Sequence, residues 1–557
     1  MRLLEPHTLA ARLKHLAEKK QLDLAVAMLK NAPLAAQNTP VWNTLIWECL
    51  KARKFKLGYQ LFVDVRLFYP VHSPPKNLQM KRRGFSPTTR TFQTMFNGLS
   101  RIDEWSEYQQ QLQNARSLYT AYQRHVEDLA KRDPKSSELD VDPLPAYATI
   151  LGKAGKYDEM VALYYVAAQS GPPNKFLFTA IFQAFARDIS PEKNARNAAD
   201  ARVIWQEAQK IPGMEIDSFM VTTAVLALSR GQDPEQKLAF QLLRDYFGLA
   251  LSSDRSGPGK IPLTSPALAA ALLLCNNAGK PSEAVTLLHQ VRRRPEVSGG
   301  ADIIDRLHVE EVLRAINSDK SDRQPARTAL QILDWVLERG ALAARPTHNT
   351  FTLLLSTCWN SADWDVATRV FTAMTGYRAH DFMDGAVSKS PRVRHPAATE
   401  RRNIAPTAET MSALLRTALA TQNHANMRQC LRIVAHFNAI GEGLFVQDSE
   451  KQTVTTTNKA TKKWAFHVVK FADAVVQTVD AVFAATKSKP EHMEIEQWGQ
   501  LRQAALDILS KGSAPARSPR PTRPRSLASI SKPNNRSKPT KRIPARPASN
   551  YERSFRP

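Results

Sequence analysis

The chain has 557 residues, too many for one compact core, so several domains or an extended repeat array are what its length allows. Apolar residues make up 43%, and glycine is scarce beside 35 prolines, which favours helices joined by loops over tightly turned β-structure. A formal net charge of +25 points to a polyanionic partner, nucleic acid first, and four widely spaced cysteines without a CxxC argue against a disulfide framework or a zinc knuckle.

The N-terminus, "MRLLEPHTLAARLKHLAEKK", is basic and amphipathic, with Arg2, Arg12, Lys14, Lys19 and Lys20. Its character is that of a mitochondrial targeting helix, with Glu5 and Glu18 counting against it. It runs straight into residues that read as a helical hairpin, so 1–38 is a targeting segment or a degenerate first repeat. Either the presequence is not cleaved or the start lies upstream. No apolar run along the chain is long enough to span a bilayer.

From Trp42 onward one phrase recurs. A large side chain is followed by apolar residues three, four and seven positions later. The windows are Trp42 with Leu45, Ile46 and Cys49, Phe92 with Met95, Phe96 and Leu99, and Phe178 with Ile181, Phe182 and Phe185. Phe351 with Leu354, Leu355 and Cys358, and Met411 with Leu414, Leu415 and Ala418, repeat it. These offsets mark one face of a helix. A turn and a second helical segment follow, as in "KARKFKLGYQLFVDV", "KAGKYDEMVALYYVA", "NNAGKPSEAVTLLHQV" and "NSADWDVATRVFTAM". Gly58, Ala284 and Ala367 in these second segments let antiparallel helices approach closely. The predicted unit is a helical hairpin of roughly 35 residues, stacked into an all-α solenoid. Pro87-Thr88, Pro173-Asn174, Pro346-Thr347 and Pro406-Thr407 stand before first helices. Proline stops the incoming helix, and the Thr or Asn caps the next. The array is expected over 39–440, with insertions at 70–87 and 378–405.

Capping helices are expected over 441–510. In "KKWAFHVVKFADAVVQTVDAVFAATK" (462–487), Val468, Val475 and Val482 are seven apart, as are Val469, Val476 and Phe483, with Ala472 and Val479 completing the stripe. Such a helix caps the open end of a solenoid or docks on a partner. Lys470, Asp473 and Asp480 argue against a membrane span. From Lys511 onward thirteen Lys and Arg face one acid, Glu552, in a Pro-, Ser- and Arg-rich tail expected to be disordered.

"PVWNTLIWECLKARKFKLGYQLF", "RTFQTMFNGLSR", "KAGKYDEMVALY" and "PTHNTFTLLLSTCWNSADWDVATRVFTAM" together resemble pentatricopeptide repeats, with about eight to ten units between roughly residues 6 and 440. The resemblance implies a right-handed α-solenoid that binds single-stranded RNA, one base per repeat, on one continuous face. It also implies which residues read bases. The first of each pair follows the opening large residue: Asn43, Gln93, Thr179, Thr352 and Ser412. The second closes each unit: Thr88, Asn174, Asp217, Thr264, Thr347 and Thr407. All but ionised Asp217 both donate and accept hydrogen bonds, and all are equally at home as helix caps. By the family's pairing rules Thr179 with Asp217 implies guanine and Asn43 a pyrimidine. The other pairs depart from the well-read combinations, so a structured RNA held through its phosphates is an alternative target. Lys81, Arg82 and Arg83, Arg292, Arg293 and Arg294, Arg401 and Arg402, and Lys462 and Lys463 are the phosphate candidates.

Some members of that family carry a deaminase, which needs His-x-Glu and Cys-x-x-Cys; His492 and Glu494 have the first spacing, and the cysteines are missing. "GKAGK" (152–156) is too short for a phosphate loop. The expectation is a non-catalytic protein of the mitochondrial matrix, with no metal or cofactor, acting in RNA processing, stability or translation. The alternative is a protein-interaction scaffold or assembly factor on the mitochondrial ribosome.

Overall fold

The computed structural model describes residues 5–66, 86–187, 191–254, 257–386, 391–393, 403–440, 444, 458–485 and 492–512. Lys81, Arg82, Arg83, Arg401, Arg402 and the basic tail beyond 512 lie outside the described residues, as do most of the first insertion and part of the second. Among the described residues the regular structure is helical, with one isolated bridge between Tyr377 and Val393.

Ten hairpins run from Pro6 to Ile440. They are α1 (Pro6–Glu18) with α2 (Leu22–Asn31), α3 (Thr39–Lys51) with α4 (Phe55–Arg66), and α5 (Thr89–Leu99) with α6 (Gln109–Arg132). Next come α7 (Leu144–Lys153) with α8 (Tyr157–Ser170), α9 (Lys175–Arg187) with α10 (Pro191–Lys210), and α11 (Ser218–Leu228) with α12 (Asp233–Phe247). The series continues with α13 (Ser265–Asn277) and α14 (Pro281–Arg292), α15 (Arg306–Ser318) and α16 (Pro325–Arg339), α17 (His348–Ser361) and α18 (Trp364–Thr375), then α19 (Ala408–Ala420) and α20 (His424–Ile440). Two more helices follow, α21 (Asn458–Ala484) and α22 (His492–Gly512). One compact unit extends to Leu509; Ser510–Pro557 forms a second, of which only the end of α22 is described.

The apolar stripes explain the stacking. Phe92, Met95, Phe96 and Leu99 are at most 3% exposed, and the four other predicted windows are buried in the same way. Burying each large side chain contributes about 1.5–3 kcal/mol. The odd-numbered helices pack each against the next from α1 to α21. Even-numbered helices approach one another most closely at α4–α6, α10–α12 and α16–α18. The odd row is therefore continuous. Small residues set the spacing: a β-carbon on Gly58 would meet Leu50, and one on Gly98 would land inside that same side chain. Ala284 and Ala367 are fully buried.

The ends of several odd helices are fixed by backbone chemistry. At the C-terminus a left-handed residue recurs: Arg53 (φ 59°), Gly155 (67°), Gly279 (63°), Ala362 (52°) and Gln422 (53°). It lets the next amide reach back to the last turn, as Lys54 N to Cys49 O (2.9 Å), Lys156 N to Leu151 O (2.9 Å), Lys280 N to Cys275 O (2.9 Å) and Asp363 N to Cys358 O (3.1 Å). At the N-terminus stand the predicted caps. Thr88, Thr347 and Thr407 close capping boxes with Thr91, Thr350 and Thr410.

The terminal helix divides the two predicted valine rows. Val468, Ala472, Val475, Val479 and Val482 are buried, and α21 packs on α19 and α20. Val469 and Phe483 remain 36% and 42% exposed, while Val476 between them is half-buried against the core, so only the ends of the second row face outward.

Candidate nucleic-acid interface

Each odd helix from α3 to α11 opens its apolar stripe with one residue: Trp42, Phe92, Leu144, Phe178 and Val221. Positions two before, and one, five and nine after, fall within an arc of about 80° on a helix of 3.6 residues per turn. On α9 this stripe is Phe176, Thr179, Gln183 and Arg187. On α11 it is Phe219, Thr222, Leu226 and Arg230, on α5 Arg90, Gln93, Asn97 and Arg101, and on α3 Pro40, Asn43, Trp47 and Lys51. Most of these side chains are exposed or half-buried, and Thr222 is buried.

The predicted first readers Asn43, Gln93, Thr179 and Thr352 share the position one after the opening residue, and all four are half-buried. Asn43 Oδ1 is buried with no hydrogen-bond partner in the protein. Thr179 and Thr352 donate to the carbonyls one turn back, Lys175 O (2.7 Å) and His348 O (2.9 Å), which leaves their oxygens free to accept. Ser412 has the same register and a different fate. It is 5% exposed beneath α21, with its hydroxyl 3.3 Å from Lys470 O, so it faces a helix and not a ligand. The apolar row that seats α21 covers it.

The second readers all lie at N-cap positions. Asp217 Oδ1 accepts from Met220 N (2.8 Å) and Asn174 Oδ1 from Leu177 N (3.0 Å). Asn174 Nδ2 donates to Asp142 (2.8 Å). Thr264 stands at the N-cap of α13 without a side-chain cap bond and exchanges a hydrogen bond with Ser218 (3.2 Å). Thr347 Oγ1 donates to Glu310 (3.3 Å). Asn38 and Asp305 hold the same position on α3 and α15, accepting from Val41 N (3.0 Å) and Leu307 N (2.8 Å). No proline precedes either, so the Pro-plus-polar signal misses them. Asp217, like Asn174, Thr264 and Thr347, also reaches the neighbouring hairpin: its Oδ2 lies 3.9 Å from Lys175 Nζ, one turn before Thr179.

Among solved structures, the chain is similar to the pentatricopeptide repeat protein PPR10 from maize, with 15% identity over 92% of this chain and 70% of that one and a TM-score of 0.35. It is also similar to PPR10 in complex with an 18-nt psaJ RNA element, with 14% identity over 92% and 80% and a TM-score of 0.33. Naa15/Naa10 bound to HypK-THB matches at 11% identity over 91% of this chain and 79% of that one, with a TM-score of 0.18. No family model matches the sequence, and no curated protein matches it.

The phosphate candidates fare unevenly. Arg294 donates to Phe247 O (2.6 Å) and Gly248 O (2.5 Å), satisfying the end of α12, and burial pushes its pKa down. It is a structural cap and not a phosphate contact. Arg292 lies 4.4 Å over the Trp335 ring, and Arg293 is exposed. Lys462 and Lys463 fall on α21, with side chains outside the described set.

A different set of cations was missed in the sequence. Nine residues after the opening residue stand Lys51, Arg101, Lys153, Arg187 and Arg230, one on each of five consecutive odd helices or their ends. They are scattered among other charges of both signs, as in Lys51-Ala52-Arg53-Lys54 and Arg101-Ile102-Asp103-Glu104, so only alignment of the repeats picks them out. Arg101 lies 5.6 Å over the Trp47 ring of the preceding hairpin. Lys153 donates to Ser100 O (2.6 Å) and Asp103 (2.8 Å), and that bond holds the Asp103 carboxyl below its usual range. Lys51 pairs with Glu48 (2.7 Å). Two exposed rings were also missed: Phe176 is 64% and Phe219 56% exposed, each three residues before the polar position of its helix. Together the stripe offers apolar planes, hydrogen-bonding groups and a row of positive charge.

No group of three or more His, Cys, Asp and Glu suited to a metal occurs among the described residues. Glu494 of the His-x-Glu pair is held by Arg432 (2.6 and 3.2 Å), a structural bond between α22 and α20.

Proposed function

We propose that the odd-helix row binds single-stranded RNA and that the protein acts without catalysis of its own. The observation that carries this reading is the repetition, on α3 to α11, of a cation at one register of one stripe. A cation near a helix C-terminus also complements the helix dipole. That explains any one of the five and not their coincidence with exposed Phe176 and Phe219 on the same faces. Stacking surfaces beside a positive track are what unpaired bases and their phosphates need. The unpartnered Asn43 Oδ1 would gain a donor from a base edge.

Fluorescence anisotropy with single-stranded RNA tests this. Binding should weaken linearly in log salt, and a Lys51→Ala, Arg101→Ala, Arg187→Ala variant should flatten the slope by about 2. Absence of binding to any single strand at low salt would overturn the reading.

We place the protein in the mitochondrial matrix on the basic amphipathic start of the chain, in RNA processing, stability or translation. Crosslinking in isolated mitochondria should return a few discrete RNA footprints. Sedimentation with a ribosomal particle and no crosslinks would instead favour the assembly scaffold, for which the exposed Val469 and Phe483 on α21 offer a surface.

A further inference from the structure

Beyond α11 the stripe changes chemistry while the fold does not. Nine residues after the opening residue, α13, α15, α17 and α19 carry Asn277, Ser318, Asn360 and Ala420 in place of the five cations. The neutral groups are spent inside the protein. Asn277 Nδ2 donates to Ser229 Oγ (3.3 Å) and Asn360 Nδ2 to Asn317 Oδ1 (3.3 Å). Asn317 Nδ2 in turn donates to Leu353 O (3.0 Å). Successive odd helices are thus laced by amides at the level where the earlier ones present charge.

Some of the remaining positions agree, while Thr352 keeps a free oxygen and Leu307 is 60% exposed. The polar position of α15 is Glu310, 4% exposed, whose carboxylate accepts from Thr350 Oγ1 (3.0 Å) and Asn349 Nδ2 (2.5 Å) at the start of α17. Arg314, bound to Glu311 (2.5 Å), and Arg416, 5.1 Å over the Trp359 ring, are engaged much as Lys51 and Arg101 are, but they stand at another register, five residues after the opening residue. At the end of the row α21 covers Ser412.

Resting on the RNA reading, we infer that the RNA track is confined to α3–α11 and stops at α13. With one base per helical repeat, the protein grips a single-stranded segment of about five nucleotides, and the α13–α19 half of the row takes no part in holding phosphate. The energetic reason is that each phosphate neutralised by a cation releases counterions, whereas an amide or serine releases none.

The experiment is anisotropy on the full chain with random-sequence single-stranded RNA from 3 to 14 nucleotides. Affinity should rise with length to about five to seven nucleotides and then level. Arg314→Ala with Arg416→Ala should leave affinity and salt slope within twofold of the parent, and Lys51→Ala with Arg187→Ala should lower affinity at least tenfold. Asn277→Lys with Asn360→Lys should move the plateau to longer RNA, a gain that no folding defect produces. Affinity that climbs steadily to 14 nucleotides, or an equal loss in the Arg314/Arg416 variant, would overturn the inference and leave the RNA reading standing. No binding at any length would instead remove the reading itself.

Discussion

Asp217 shows how one residue serves two demands. Its Oδ1 caps α11 through Met220 N, while Oδ2 faces Lys175 on the neighbouring hairpin. Asp217→Asn keeps a capping oxygen and removes the charge, so thermal stability should stay near the parent while RNA affinity or base preference changes. Asp217→Ala removes both and should cost about 1 kcal/mol of stability as well. If the two variants melt alike and bind alike, the side chain is a cap and nothing more. Ala362 makes the converse point. It holds φ at 52°, the place filled by Gly155 and Gly279 in other hairpins. A β-carbon in the left-handed region is strained, so Ala362→Gly should raise stability by about 1 kcal/mol in urea denaturation, and a loss would show that the turn is held by other contacts.

At the scale of elements, the hairpins were legible because burial follows a 3.6-residue period, and the opening residues Trp42, Phe92, Phe178, Phe351 and Met411 are all at most 3% exposed. The hairpins of α7, α11, α13 and α15 were harder to read. Their stripes open on Leu144, Val221, Leu268 and Val309, without an aromatic. The stripe proposed to meet RNA was only half legible, because coverage by another helix decides it, and Ser412 carries no mark of α21 in its own window. What joins the second insertion to the end of the array was not legible at all. Arg428 and Arg432 of α20 both bind Asp384 (2.5 and 2.7 Å), and Arg432 also binds Glu494 of α22. The hydrogen bond from Arg428, then that from Arg432, holds the Asp384 carboxyl below its usual range. A depressed carboxyl stabilises the fold above its unfolded-state pKa and loses that contribution as pH falls through its folded value. Acid unfolding of this end should therefore begin at higher pH once the interaction is gone in Asp384→Asn at neutral pH: the variant should be less stable at pH 7 and converge on the parent near pH 2. A constant difference between the two across that range would contradict the assignment.

For the whole molecule, stability is a sum of hairpins and their neighbours, because each odd helix packs chiefly on the ones beside it. Damage at one end should then stay local. A chain ending at Ile440 loses α21 and α22 and uncovers the face of α19 that carries Ser412. Exposed apolar surface at an uncapped end favours local opening before the rest of the array yields. Amide hydrogen exchange should accelerate strongly in α19 and α20, weakly in α17, and not in α3–α11. RNA affinity should then match the full chain within about twofold, since a track that stops at α13 has no contact with the lost helices. A uniform rise in exchange along every hairpin would mean that the row folds as one cooperative block, and the caps and stripes of one hairpin would no longer act apart from those of the next.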